Sequence, residues 1–283
     1  MRREIGEWVH ARSNGGKMNH VMKRTLVALL SAAFVVSIFC FATATVIKPV
    51  LIAVILLTQL EFYKIVQRKT PVMTLPGIAA GFVFLVSQFY FYDSCFPLIF
   101  FFIALFALFK AQKCPIAEFA TTTLGFVYIP MMLAYLIRLA MLPSPNGIEL
   151  FWLLYVIAIV KISDMGGFAF GLGSAKFFGS NHKMCPDISP NKSWEGLFGS
   201  VFGSCLISSC FMPLTGFSFG KSLVFGITAA IVGTLGDLVE SRVKRDCGVK
   251  DSSVFMPAGL GGLLDMTDSL IFAPAIIYSL LSK

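Results

Sequence analysis

The feature that most constrains this chain is a succession of long apolar runs with short loops between them, Lys and Arg being gathered in every second loop. The runs fall at about 25–46, 49–66, 75–92, 96–110, 118–141, 148–171, 194–213, 219–239 and 260–281, most of them close to the roughly 20 residues with which a helix crosses a bilayer. Composition agrees: 57% of the residues are hydrophobic and 13% charged, against about 25% charged in an ordinary soluble domain. A water-facing surface cannot be built from so few charges, so a soluble enzyme is excluded. The expected fold is an all-α polytopic membrane protein with about nine transmembrane helices. No linker, low-complexity tract or clear repeat divides the chain. A basic segment, 1–24, is therefore expected ahead of a single integral membrane domain, 25–283.

The loops predict an orientation. Of the 23 Lys and Arg, eighteen lie in the N-terminal segment or in the alternate loops that carry Lys64, Arg68, Lys69, Lys110, Lys113, Lys176, Lys183, Lys192, Arg242, Lys244, Arg245 and Lys250. The opposite side holds Lys48, Lys221 and Lys283, while Arg138 and Lys161 fall inside spans. Basic loops stay on the cytoplasmic side, so the N-terminus is expected in the cytoplasm and the C-terminus outside. Ala42-Thr43-Ala44 resembles a signal-cleavage site, but the run before it exceeds the usual 7–15 residue core, and retention is expected. The net charge of +8 reads as topology plus attraction to anionic headgroups, with no nucleic acid involved.

Nine of the 15 acids follow residue 160, and an ionised carboxylate inside a span costs about 2.5–3.5 kcal/mol. The topology brings Asp164, Glu195, Asp237, Asp265 and Asp268 to the inner ends of the last four spans. Asp265 and Asp268 are three apart and Asp237 and Ser241 four apart, so each pair shares a helix face. Lys161 and Asp164 are spaced to pair in the same way, and Glu61 and Asp93, remote from the cluster, read as helix-end or interhelical polar contacts. Gathered carboxylates repel one another, and a hard divalent cation held together with a substrate phosphate relieves that repulsion. The nearby Lys192, Lys244, Arg245 and Lys250 suit phosphate, although each also serves as a topology signal. The catalytic part is therefore expected at about 160–270, with metal-assisted chemistry on a phosphorylated molecule.

Other chemistries find little support. His10, His20 and His182 lie in loops, none beside the acids in sequence, which leaves a Ser/His/Asp triad without a base. The seven cysteines show no CxxC spacing, which demotes zinc and redox sites. Gly171 to Gly179 has neither nucleotide-loop spacing.

Two segments carry a family resemblance. Ser189-Pro190-Asn191-Lys192-Ser193-Trp194-Glu195-Gly196 resembles the SPKKTWEG segment of the phosphatidate cytidylyltransferases, the CDP-diacylglycerol synthases. The stretch Ser241-Arg242-Val243-Lys244-Arg245, then Lys250-Asp251, then Pro257 to Asp268 is similar to that family's S-x-x-K-R-x4-K-D…P-G-H-G-G-x-x-D-R-x-D signature. The segments around Asp164 and Asp237 look like its shorter acidic motifs. Leu260 and Met266 stand where the pattern has His and Arg, and one extra residue separates Pro257 from the double glycine.

The resemblance implies transfer of CMP from CTP to phosphatidic acid, with release of pyrophosphate, at the cytoplasmic face of a bacterial-type inner membrane. It implies Mg²⁺, with room for a monovalent cation such as K⁺, on Asp237, Asp265 and Asp268, and Asp164 in support. Lys192, Lys244, Arg245 and Lys250 would hold phosphates, with Ser189, Ser193, Glu195 and Ser241 lining the substrates. Trp194 would stack on cytosine or anchor at the membrane interface. A homodimer stays open. So do two competing functions: a CTP-dependent polyprenol or dolichol kinase, and a secondary transporter, whose site would lie near the midplane between repeats.

Overall fold

In lipid an unbroken apolar segment can satisfy its backbone only within a helix, and among the described residues the chain is helical wherever such segments occur. The computed structural model describes residues 43–90, 92–110, 115–252 and 261–282. The first expected span lies almost wholly outside these residues, as do Pro257, Gly259 and Leu260. The helices are α1 (Ala44–Val66), α2 (Thr74–Ser87), α3 (Phe96–Lys110), α4 (Pro115–Phe126), α5 (Met132–Met141), α6 (Phe151–Phe178), α7 (Trp194–Cys210), α8 (Met212–Thr215), α9 (Phe219–Asp246), α10 (Leu263–Thr267) and α11 (Ala273–Leu281). A short antiparallel ribbon, β1 (Lys183–Cys185) with β2 (Ser189–Ser193), joins α6 to α7.

Five of the helical stretches described are long and apolar enough to cross a membrane: Thr45–Val66, Pro115–Met141, Phe151–Phe177, Phe219–Asp246 and Leu263–Leu281. The runs read at 75–92, 96–110 and 194–213 form shorter helices of 14, 15 and 17 residues. At 28 residues each, α6 and α9 reach about 42 Å, beyond the roughly 30 Å hydrocarbon core. Their polar ends can therefore stand in the headgroup layer.

Two local features position the site. Pro130 has no N–H to donate, and the rod formed by α4 and α5 widens into a π turn over Val127–Met131. The last span is also broken: α10 gives way to a 3-10 turn at Asp268–Leu270 before α11 begins.

Packing is tightest where α6, α7 and α9 meet. A Cβ on Gly166 would collide with the Gly199 carbonyl of the facing helix, so these backbones approach as only small residues allow. Glu61, fully buried on α1, accepts from the Leu264 N–H at 2.9 Å and pins the start of α10. It is the interhelical contact its isolation in the sequence implied.

Candidate active site

Helix α9 runs from apolar residues into Asp237, Glu240, Ser241 and Lys244, and the spacing of three and four places them on one stripe. The 3-10 turn brings Asp268 against that stripe. A Cβ on Gly236 would lie 2.8 Å from the Asp268 carbonyl oxygen, so glycine is what lets the two backbones meet here.

Among the described residues, oxygens of Asp237, Glu240 and Asp268 come within 4.8 Å of one another. Glu240 is 1% exposed. Its Oε2 lies 2.7 Å from Lys244 Nζ, while Oε1 has no hydrogen-bond partner among the described residues. Three converging carboxylates form an all-oxygen donor set, the kind that suits a hard divalent cation.

The sequence reading named Asp265 where the structure places Glu240. Asp265 and Asp268 are three positions apart, but Asp265 belongs to α10 and Asp268 opens the 3-10 turn, so the two do not share a continuous helix face. Asp265 accepts from the Gly262 N–H at 2.7 Å and the Ser252 N–H at 3.0 Å, and meets Lys244 Nζ at 2.5 Å. Its oxygens are engaged by Ser252 and by Gly262 at the start of α10. The signal for Glu240 was present in its i,i+3 spacing from Asp237.

The expected phosphate cations have different surroundings. Lys192, on β2, extends to Asp237 Oδ2 at 2.5 Å. Burial works against its charge, but Asp237, with help from Asp164 and Asp268, outweighs burial and holds its pKa above the ordinary 10.5. Lys244 is buried between Glu240 and Asp265 and is therefore not disposed to reach a phosphate as expected. Arg245 is exposed and donates to the carbonyls of Ile188 and Val249, both at 3.3 Å. Lys250 is exposed.

Ser241 donates to Asp237 Oδ1 at 3.3 Å. Lys161 lies 3.4 Å from Asp164 and donates to the Met266 carbonyl at 2.9 Å and to Ser269 Oγ at 3.2 Å. Ser269 in turn donates to Asp164 Oδ2 at 2.8 Å. Asp164 is thus tied into the wall beside Asp268.

The hairpin residues divide. Ser193 is buried and caps α7, accepting from the Gly196 N–H at 3.1 Å. Ser189, half-buried, opens β2, and Trp194 is exposed. Glu195 turns to His182, whose Nδ1 lies 2.7 Å from its Oε1, a contact that sequence did not suggest. A separate apolar groove of about 530 Å³, lined by Phe170, Phe177 and Phe198 with Glu195 among its walls, shares no residue with the acid group.

Fold and site together define a helical protein in which a carboxylate-and-lysine centre is set among helices of membrane-crossing length. The chain belongs to the Cytidylyltransferase family, whose model matches residues 22–283. Over 167 residues it is 36% identical to the phosphatidate cytidylyltransferase of Staphylococcus aureus (strain COL), covering 58% of this chain and 59% of that one. Over 160 residues it is 35% identical to the phosphatidate cytidylyltransferases of Mycobacterium bovis and Mycobacterium tuberculosis (strain CDC 1551 / Oshkosh), covering 55% of this chain and 48% and 45% of theirs. The chain spans about half the length of the curated relatives it matches. The family resemblance read from the motifs is borne out.

Proposed function

We propose that the chain is an integral membrane nucleotidyltransferase that moves CMP from CTP to phosphatidic acid, releasing pyrophosphate. The observation that carries this reading is the convergence of Asp237, Glu240 and Asp268 beside Lys192 of the Ser189–Gly196 segment. The names of the curated relatives support it.

A phosphate oxygen of the lipid would attack the α-phosphorus of CTP, and two anions must be brought together for that to happen. Mg²⁺ held by Asp237, Glu240 and Asp268 would neutralise charge on the nucleotide and on the leaving pyrophosphate. Lys192 is the mobile partner of the set: it can exchange its bond to Asp237 for one to a phosphate without leaving the site. Arg245 and Lys250 lie exposed at the end of α9 and beyond, ready to meet the outer phosphates. Lys244 holds Glu240 and Asp265 in place. Ser189 and Ser241 line the substrate side, and Trp194, being exposed, stacks on cytosine or anchors at the interface. The residues' part is positioning and charge neutralisation, with no covalent intermediate.

The reading includes about nine spans and a site that opens to the cytoplasm across a bacterial-type inner membrane. Contacts between basic loops support a common side: Lys69, after α1, lies 2.6 Å from Asp246 at the end of α9, and Arg245 reaches the hairpin that follows α6.

The test is incubation of the purified protein with phosphatidic acid, Mg²⁺ and CTP labelled at the α-phosphate. Label is expected in the lipid and lost with Asp268→Asn. Label that remains in the aqueous phase would overturn the reading, and transfer from γ-labelled CTP instead would assign a lipid kinase.

A further inference from the structure

The wall of the acid group that faces α4 and α5 comes from a part of the chain in which the sequence showed no motif. Tyr128 stands in the π turn and is 7% exposed. Its ring packs against Phe62 at 5.4 Å and edge-on to Phe272 at 5.7 Å between centroids. Phe272 in turn lies along α9, since a Cβ on Gly236 would sit 3.6 Å from its ring. The tyrosine is therefore wedged where α9 meets the turn that carries Asp268. Gly236 and Glu240 are four apart on α9, so Glu240 shares the face that this packing meets.

The Tyr128 hydroxyl has no hydrogen-bond partner among the described residues, and neither has Glu240 Oε1. A buried phenol normally finds an acceptor, and leaving one unmatched is costly. Here an unmatched donor and an unmatched acceptor border the same cluster, and neither bonds the other. π turns of this kind are frequent at functional sites.

We propose that Tyr128 is a positioning residue of the cation site, its hydroxyl donating to the Glu240 carboxylate through a bridging water or a water bound to the cation. This rests on the cation reading of Asp237, Glu240 and Asp268 given above. It adds to the site a residue from the rod of α4 and α5. Outer-shell partners of this kind orient a ligand and tune its affinity for the ion, and a water carries such a contact nearly as well as a direct bond.

The experiment compares full-length wild type, Tyr128→Phe and Glu240→Gln, purified in detergent and titrated with Mn²⁺ without nucleotide, bound ion being counted by electron paramagnetic resonance. Phe keeps both ring contacts, so the fold is preserved. The expected result is roughly a 10-fold or greater loss of Mn²⁺ affinity in Tyr128→Phe and a larger loss in Glu240→Gln. CMP transfer measured on the same samples should require more Mg²⁺ for half-maximal rate in Tyr128→Phe, with the rate recovering at saturation.

Affinity within twofold of wild type in Tyr128→Phe overturns the inference, as does a wild-type protein that binds no Mn²⁺. Weakened Mn²⁺ binding in a protein that never transfers CMP upholds the inference and defeats the functional reading. CMP transfer with unchanged Mn²⁺ affinity does the reverse.

Discussion

Asp268 and Asp265 sit three residues apart, and their surroundings differ. Around Asp268 carboxylates face carboxylates: Asp237 and Glu240 aim at the same point, and part of their capacity to accept is unspent. Around Asp265 both carboxylate oxygens are engaged: Lys244, Ser252 and Gly262 hold Asp265, and Glu61 Oε2 accepts from the Leu264 N–H. The first region leaves an acceptor of Glu240 unmatched, and the second uses Asp265 to tie Ser252 and the start of α10 to Lys244 of α9. Similar residues in neighbouring turns thus make an open acid group and an anchor.

Substitutions can sharpen or break that division. The largest effect is expected for Asp268→Asn, a loss of CMP transfer of at least about 100-fold with the melting temperature nearly unchanged in a thermal scan. Asp265→Asn should act the other way. It leaves Lys244 short of one carboxylate and is expected to cost about 3 kcal/mol of stability in denaturant titration, while the folded fraction still binds cation. An Asp265→Asn protein that is stable but cannot bind cation would erase the distinction. Lys192→Gln should lower kcat/KM for CTP by roughly 10- to 100-fold, the worth of a charge-assisted hydrogen bond, with little change in stability. Gly236→Ala lies between the regions: its methyl would push the Asp268 carbonyl away, and about 1–3 kcal/mol of destabilisation is expected together with weaker cation binding. The smallest effect belongs to Lys69→Ala, whose pair with Asp246 is exposed; neither rate nor melting temperature should move measurably.

The same division explains what could be read from sequence. The helices were legible because apolar runs of this length have few alternatives, and the crowding of acids after residue 160 corresponds to the part of the chain where Asp237, Glu240 and Asp268 converge. Lys161 with Asp164 and Ser241 with Asp237 paired as their spacing predicts, since α6 and α9 are continuous through them. The spacing rule failed at Asp265 and Asp268 because it presumes an unbroken helix, and the break at Asp268–Leu270 is set by tertiary contacts with α9. Tyr128 carried no signal, because one aromatic in an apolar run looks like any other until its neighbours are known. The buried position of Lys244 was equally hidden: a basic residue near a helix end reads as solvent-facing unless two acids are seen to enclose it.

The lysines that border the centre also bear on how such a protein is made. Lys161, Lys192 and Lys244 each meet one of Asp164, Asp237 and Glu240, so the acid-rich helices carry much of their own countercharge. A lone ionised carboxylate is expensive to leave in hydrocarbon, whereas a matched pair is far less so. Newly synthesised helices can therefore assemble in the bilayer with their acids already accompanied. The Asp237 pair is complete only when the hairpin that carries Lys192 meets α9.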